Sequence, residues 1–161
     1  MYFRHKLIGT FLGIVRFYTY LCHMKNYFTI QELVVSDTAK RFGIDNTPTP
    51  QIKMRLQELI TSLLNPIREA WGGPVIVTSG YRCPELNKKV NGAATSVHMI
   101  GYAADLIPGN GQRAKFVKFV QNYLKTHNLP FDQCIDEYGR WCHVGLKNNA
   151  GQQRKQIFRI G

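Results

Sequence analysis

Residues 96–105 read SVHMIGYAAD, with His98 and Asp105 seven positions apart across one glycine and two alanines. Gly101 permits a sharp change of chain direction after His98, and Ala103 and Ala104 leave room for Asp105 to turn inward from a strand. An imidazole and a carboxylate are suitable donors for zinc, but a catalytic zinc takes about three protein groups and keeps a fourth position open. The reading of the whole chain therefore turns on a third donor elsewhere.

The candidate is His143, in WCHVGL at 141–146. Side chains alternate along a strand, so Trp141, His143 and Gly145 share one face while Cys142 and Val144 take the other. An aromatic ring, an imidazole and a residue without a side chain make a face that a ligand can approach. Alone, His143 reads as an ordinary partly buried histidine; beside His98 and Asp105 it reads as a ligand. Water bound at such a site ionises near neutral pH and becomes a nucleophile. Peptide-type hydrolysis then needs a proton carrier, and Asp136 and Glu137 both precede the turn of the same hairpin. A three-residue loop at Tyr138, Gly139 and Arg140 puts Glu137 on the face of His143 and Asp136 on the other; an even-numbered loop exchanges them.

Working outward, PVIVTSG (74–80) is a β-branched run bounded by Pro and Gly, a buried strand feeding a loop over about 80–97. GYAADLIP (101–108) is a second strand, FDQCIDEYGRWCHVGLK (131–147) a hairpin, and QIFRI (156–160) a last strand. Thr29 with Glu32 three residues on is a capping box opening a short helix. After the rigid loop NTPTP, Thr49 caps a long helix with Pro50 in its first turn. Ile52, Leu56, Leu59, Ile60, Leu63, Leu64 and Ile67 form its buried stripe, and Gly72 and Gly73 end it. A helix over about 112–126 turns Phe116, Phe119, Val120, Tyr123 and Leu124 inward and leaves Lys115, Lys118 and Lys125 in solvent. This order predicts an α+β domain with a small, mostly antiparallel sheet flanked by helices and a single zinc site.

With 161 residues, 44% hydrophobic and 12% aromatic, the chain supports one domain with a real core. The formal net charge of +11 favours a polyanionic partner: nucleic acid, anionic membrane or the acidic polymers of bacterial walls. The basic residues are scattered and no nucleic-acid motif accompanies them, so no specific nucleic-acid binding is expected. Cys22, Cys83, Cys134 and Cys142 show no CxxC spacing; free thiols are the plain reading, with Cys134 and Cys142 close enough on the hairpin for one bridge. Residues 1–23 form an N-terminal extension, either a membrane-surface segment or a degenerate signal peptide. Its apolar run, Leu7 to Val15, is short of the roughly 20 residues a bilayer span needs, so it contacts a membrane weakly or not at all. The catalytic domain is then 24–161.

SGYRCPELNKKVNGAATSVHMIGYAADL (79–106) together with WCHVGL resembles the zinc D-alanyl-D-alanine carboxypeptidase-like family, whose fold is shared with the hedgehog signalling domain. SGYR, SxHxxGxAxD and WxH occur in order, and the likeness covers roughly residues 24–147. The resemblance implies His98, Asp105 and His143 as zinc ligands and peptidoglycan stem peptides as substrate. It implies Glu137 as the general base, Arg82 as a substrate-binding and transition-state-stabilising residue, and Ser96 as a substrate contact; Tyr81 and Trp141 wall the cleft or pack the core. The protein is then expected to act as a monomer at the bacterial wall, in the periplasm or outside the cell, with phage delivery as one route. Three positions depart from the pattern: Cys83 stands where a small hydroxyl residue is usual, Val97 where glutamine is common, and Tyr102 where a charge is frequent. These departures bear on substrate preference more than on catalysis, although Cys83 could also bind metal or oxidise. The alternatives are a zinc-stabilised binding module without activity and a basic nucleic-acid-binding protein with incidental histidines. Carboxypeptidase and endopeptidase action remain equally open at the level of sequence.

Overall fold

Local capping signals account for most of the helix boundaries in the computed structural model, which describes residues 25–161. The reading of residues 1–23 lies outside the described residues. Helix α1 (Ile30–Val34) opens with the reciprocal capping box of Thr29 and Glu32. Helix α2 (Asp37–Phe42) starts at Ser36, whose hydroxyl accepts the Ala39 N–H, and stops at Gly43 in the left-handed conformation. Thr49 and Pro50 start α3 (Pro50–Leu59), which runs through a π-helical stretch at Ile60–Leu64 into α4 (Asn65–Trp71).

The π stretch was not legible in the apolar periodicity, and Pro66 explains it. A proline inside a helix lacks the N–H that would reach back four residues and crowds the preceding turn. Here the Asn65 N–H bonds to the carbonyl of Ile60, five residues back, so the ladder widens just ahead of the ring. The apolar stripe survives the change: Leu56, Leu59, Ile60, Leu63, Leu64 and Ile67 are all at most 1% exposed.

Strands β1 (Val75–Ser79), β2 (Ala103–Pro108), β3 (Gln133–Glu137), β4 (Trp141–Gly145) and β5 (Gln156–Ile160) form one sheet in the order β1-β2-β4-β3-β5. The pairings are antiparallel except for β3 with β5, which is parallel, so the final strand makes the small sheet mixed. Helix α6 (Arg113–Thr126) packs Phe116, Val117, Val120 and Leu124 into the core, which also takes Ala104, Leu106, Cys134, Cys142 and Val144 from one face of the sheet. Cys134 and Cys142 are free thiols with their sulfurs 3.7 Å apart. No helix among the described residues is long and apolar enough to cross a membrane.

The stretch read as a loop over 80–97 contains a helix, α5 (Pro84–Lys89), and leads into a 3-10 turn at Val97–Ile100. The N-cap of α5 is Cys83, whose sulfur accepts the Leu86 N–H at 3.4 Å. Cysteine is not a customary capping residue, so the start signal was silent in the sequence. The thiol thus does locally what a small hydroxyl would do.

At Gly80 the chain passes against the end of α1, where Tyr81 N–H donates to the carbonyl of Leu33 at 2.6 Å. A Cβ at position 80 would lie 2.7 Å from Leu33 Cα and 2.8 Å from its carbonyl carbon, both rigid backbone atoms. Gly80→Ala is therefore expected to cost about 1–3 kcal/mol of folding stability, as overpacking does. Urea unfolding at constant m-value measures it, and an unchanged midpoint would contradict the close approach.

Candidate metal centre

Sheet register brings two of the three donors together. Asp105 of β2 lies directly opposite His143 of β4, and Ile135 of β3 lies opposite His143 on the other side. Alternation turns this row away from the core, while Ala104, Leu106, Cys142 and Val144 point into it. The third donor arrives on the 3-10 turn that carries His98, closed by Gly101 at φ +79°. Gly101 permits that left-handed conformation, and the turn sits tightly on α3, with Arg55 Nη1 donating to the Ile100 carbonyl at 3.4 Å.

The result is a compact donor set. His143 Nδ1 is 2.8 Å from Asp105 Oδ1, and His98 Nε2 is 3.2 Å from His143 Nδ1 and 3.3 Å from Asp105 Oδ1. His98, Asp105 and His143 are buried, and one donor atom from each lies within 4.8 Å of the others. His98 Nδ1 is 2.7 Å from the Gly80 carbonyl. A carbonyl only accepts, so Nδ1 carries the proton and Nε2 keeps its lone pair toward the cluster. Two imidazoles and one carboxylate, one ring oriented from behind by a backbone oxygen, fit a zinc ion with an open position.

Burial pushes His98 below the ordinary imidazole value, against the pull of Asp105 in the other direction. Burial alone would raise Asp105, but His98 and His143 hold it well below the usual carboxylate range. Both effects favour the unprotonated forms of His98 and Asp105, the forms a metal requires.

Glu137 stands opposite Trp141 across the three-residue loop at 138–140, with Oε1 3.9 Å from His143 Nδ1. Its carboxyl is raised by burial and by the nearby Asp105, with His143 and Arg82 opposing. Asp136 points the other way, accepting the Gly139 N–H at 3.1 Å and lying 3.7 Å from Arg159. Arg82 follows the Gly80 turn, and its Nη2 donates to Ser96 Oγ at 3.4 Å. Burial lowers its pKa, opposed by the charges of Asp105 and Glu137. Tyr81 is 7% exposed and packs with the core while lining the cleft; Trp141 is half-buried and lines the cleft as well. Cys83, engaged in capping α5, lies outside the donor cluster.

One residue of this region escaped the sequence reading. Asn46, in the loop before α3, accepts the Cys83 N–H at 2.7 Å and donates to the carbonyls of Tyr81 at 3.0 Å and Val34 at 2.9 Å. Its amide therefore ties down the backbone on both sides of Arg82. The only trace in sequence is an asparagine before TPTP, which also reads as a plain turn residue. Asn46→Ala strands one donor and two acceptors and is expected to cost about 1–3 kcal/mol. Urea unfolding measures it, and an unchanged midpoint would show that the three hydrogen bonds of Asn46 do not hold this loop.

Two imidazoles and a carboxylate in a cleft beside a second, partly buried carboxylate are a donor set suited to a metal-dependent hydrolase. The sequence profile of the Peptidase M15 family matches residues 26–145, and the chain belongs to that family, the zinc D-Ala-D-Ala carboxypeptidase-like peptidases. The resemblance carried by SGYR, SxHxxGxAxD and WxH is thereby borne out, and the protein is a zinc metallopeptidase. A search among curated proteins gave no match.

Proposed function

We propose that the protein hydrolyses peptide bonds in the stem peptides of bacterial peptidoglycan. His98 Nε2, Asp105 Oδ1 and His143 Nδ1 would hold zinc, on the hedgehog/DD-peptidase fold with a single metal ion. The observation that carries the reading is the convergence of these three buried donor atoms within 4.8 Å beside Glu137. Zinc bound there supplies Lewis acidity to the scissile carbonyl and a nucleophile at neutral pH.

The chain's own side chains do the rest. Glu137 accepts the proton of the attacking water and returns it to the leaving nitrogen, a task suited to a carboxyl lifted above its ordinary value by burial. Arg82 donates to the developing oxyanion or to a substrate carboxylate, oriented by Ser96 and by the Asn46 clamp. Trp141 walls the cleft, and Ser96 and Tyr81 contribute substrate contacts. The basic surface, net +11, suits a carboxylate- and phosphate-rich wall reached from the periplasm or the exterior, by phage delivery among other routes. The protein acts there as a monomer.

A binding module without activity would have no use for a raised carboxyl and a guanidinium facing the donor cluster, so the enzymatic reading is preferred. Mass spectrometry of muropeptides from purified peptidoglycan, before and after incubation with zinc-loaded protein, tests it. New peptide fragments that vanish with a chelator and return with zinc are the expected result. An unchanged muropeptide profile from fully metallated protein would refute it.

A further inference from the structure

The cleft does not end at the donor cluster. Two cavities meet at Arg82, Asp105 and Trp141, which line both of them. The first, about 690 Å³, runs beside β1, the outermost strand of the sheet, past Val77, Thr78 and Ser79 toward Glu32 and Asp37. The second, about 930 Å³, crosses the outward face of β3 and β4 over Ile135 and Glu137 toward Asn148 and Asn149. Asp105 and Arg82 therefore stand where the two arms join, with His98, Glu137 and His143 lining the second arm, so the cleft continues past the donor cluster in both directions. Each arm has the volume of a site for a drug-sized ligand, about 300–1,000 Å³. A single terminal amino acid would leave most of either arm empty.

The charges agree with the shape. Enzymes that trim one residue need a cation at a closed end to hold the free carboxylate, since an unpaired buried charge is costly. Among the described residues lining the first arm, Arg82 is the one cation, and it sits at the junction, while Glu32 and Asp37 stand further out. In the second arm Arg154 is held bidentately by the fully buried Asp132, with both N–O distances at 2.7 Å. Neither arm ends in a free cation, and Arg82, at the junction, is left to the oxyanion or to a carboxylate within a peptide that continues past it. The edge of β1 instead offers a surface along which an extended backbone can lie, the way edge strands commonly recognise peptides.

We infer that the protein is an endopeptidase, taking a peptide that continues through both arms and cutting an internal bond of cross-linked or extended stems. This rests on the peptidase reading above and adds to it the class of bond.

The test offers zinc-loaded full-length protein two substrates, a cross-linked muropeptide dimer and an uncross-linked pentapeptide stem with a free carboxyl end, with products identified by mass spectrometry. Fragments carrying two or more residues on each side of the cut bond are expected. Release of a single C-terminal amino acid as the main product overturns the inference while leaving the peptidase reading intact. Cleavage of neither substrate overturns both. The arm itself is tested by Val35→Trp, at a 45% exposed position lining the first cavity, and by Thr38→Trp beside it. Each should lower kcat/KM on the dimer at least about tenfold at unchanged zinc content, because binding energy far from the reacting bond is used in the transition state. Turnover within twofold of the parent in folded variants would show that the arm holds no substrate.

Discussion

Zinc-loaded Glu137→Gln is expected to keep its metal and its fold and to lose hydrolysis of peptidoglycan peptides by about 10²–10⁴-fold in kcat, the range that positioned general acid–base groups supply. The substitution preserves shape and removes the ability to take and return a proton. Glu137 sits 3.9 Å from the nearest nitrogen of His143, close to the donor cluster but outside the trio whose atoms converge. Metal content should therefore remain near one equivalent, and melting temperature should change little. Asp136→Asn is the control one residue away: that carboxylate caps the Gly139 N–H and pairs with Arg159 on the far face of the hairpin, so the substitution should leave turnover unchanged. Equal turnover by Glu137→Gln and the parent would remove Glu137 from the reaction.

The second large effect concerns the donors themselves. His98→Ala or His143→Ala is expected to take bound zinc, measured by elemental analysis after dialysis, from about one equivalent per chain to nearly none, since two remaining donors do not make a stable site. His143→Ala also strips Asp105 of its 2.8 Å partner at a position only 7% exposed. The metal-free variant should then lose about 1–3 kcal/mol relative to metal-free parent, as buried polar groups do when deprived of a partner. A variant retaining stoichiometric zinc would overturn the ligand assignment, whatever its activity.

Much of the site was legible because its signals are local. The turn after His98 is announced by Gly101, whose left-handed φ any side chain would strain. Hairpin length decides which of Asp136 and Glu137 faces His143, and the three-residue loop was one of two lengths that the sequence allowed. Capping at Thr29 and Thr49 and the stripe from Ile52 to Ile67 marked helices correctly. Where reading failed, a long-range or unusual partner was responsible. The Cys83 thiol caps α5 in place of a hydroxyl, and Pro66 widens the long helix. The last strand was expected at QIFRI, but its parallel direction beside β3 had no local signal, because it follows from the chain after β4 crossing to the far sheet edge. Asn46 works across 35 and 37 residues, a reach no spacing rule covers.

By itself the sequence determined the chemical types present, two imidazoles and a carboxylate behind flexible small residues, and the local conformations that carry them, because turns, caps and alternation depend on neighbours within a few residues. Tertiary structure alone decided that Asp105 and His143 stand opposite each other and that His98 offers Nε2 because the Gly80 carbonyl takes its Nδ1. It alone opened a cleft on both sides of the cluster. These depend on sheet register and on the packing of α1 and α3 against the turns, contacts between residues tens of positions apart whose distances only the folded core sets.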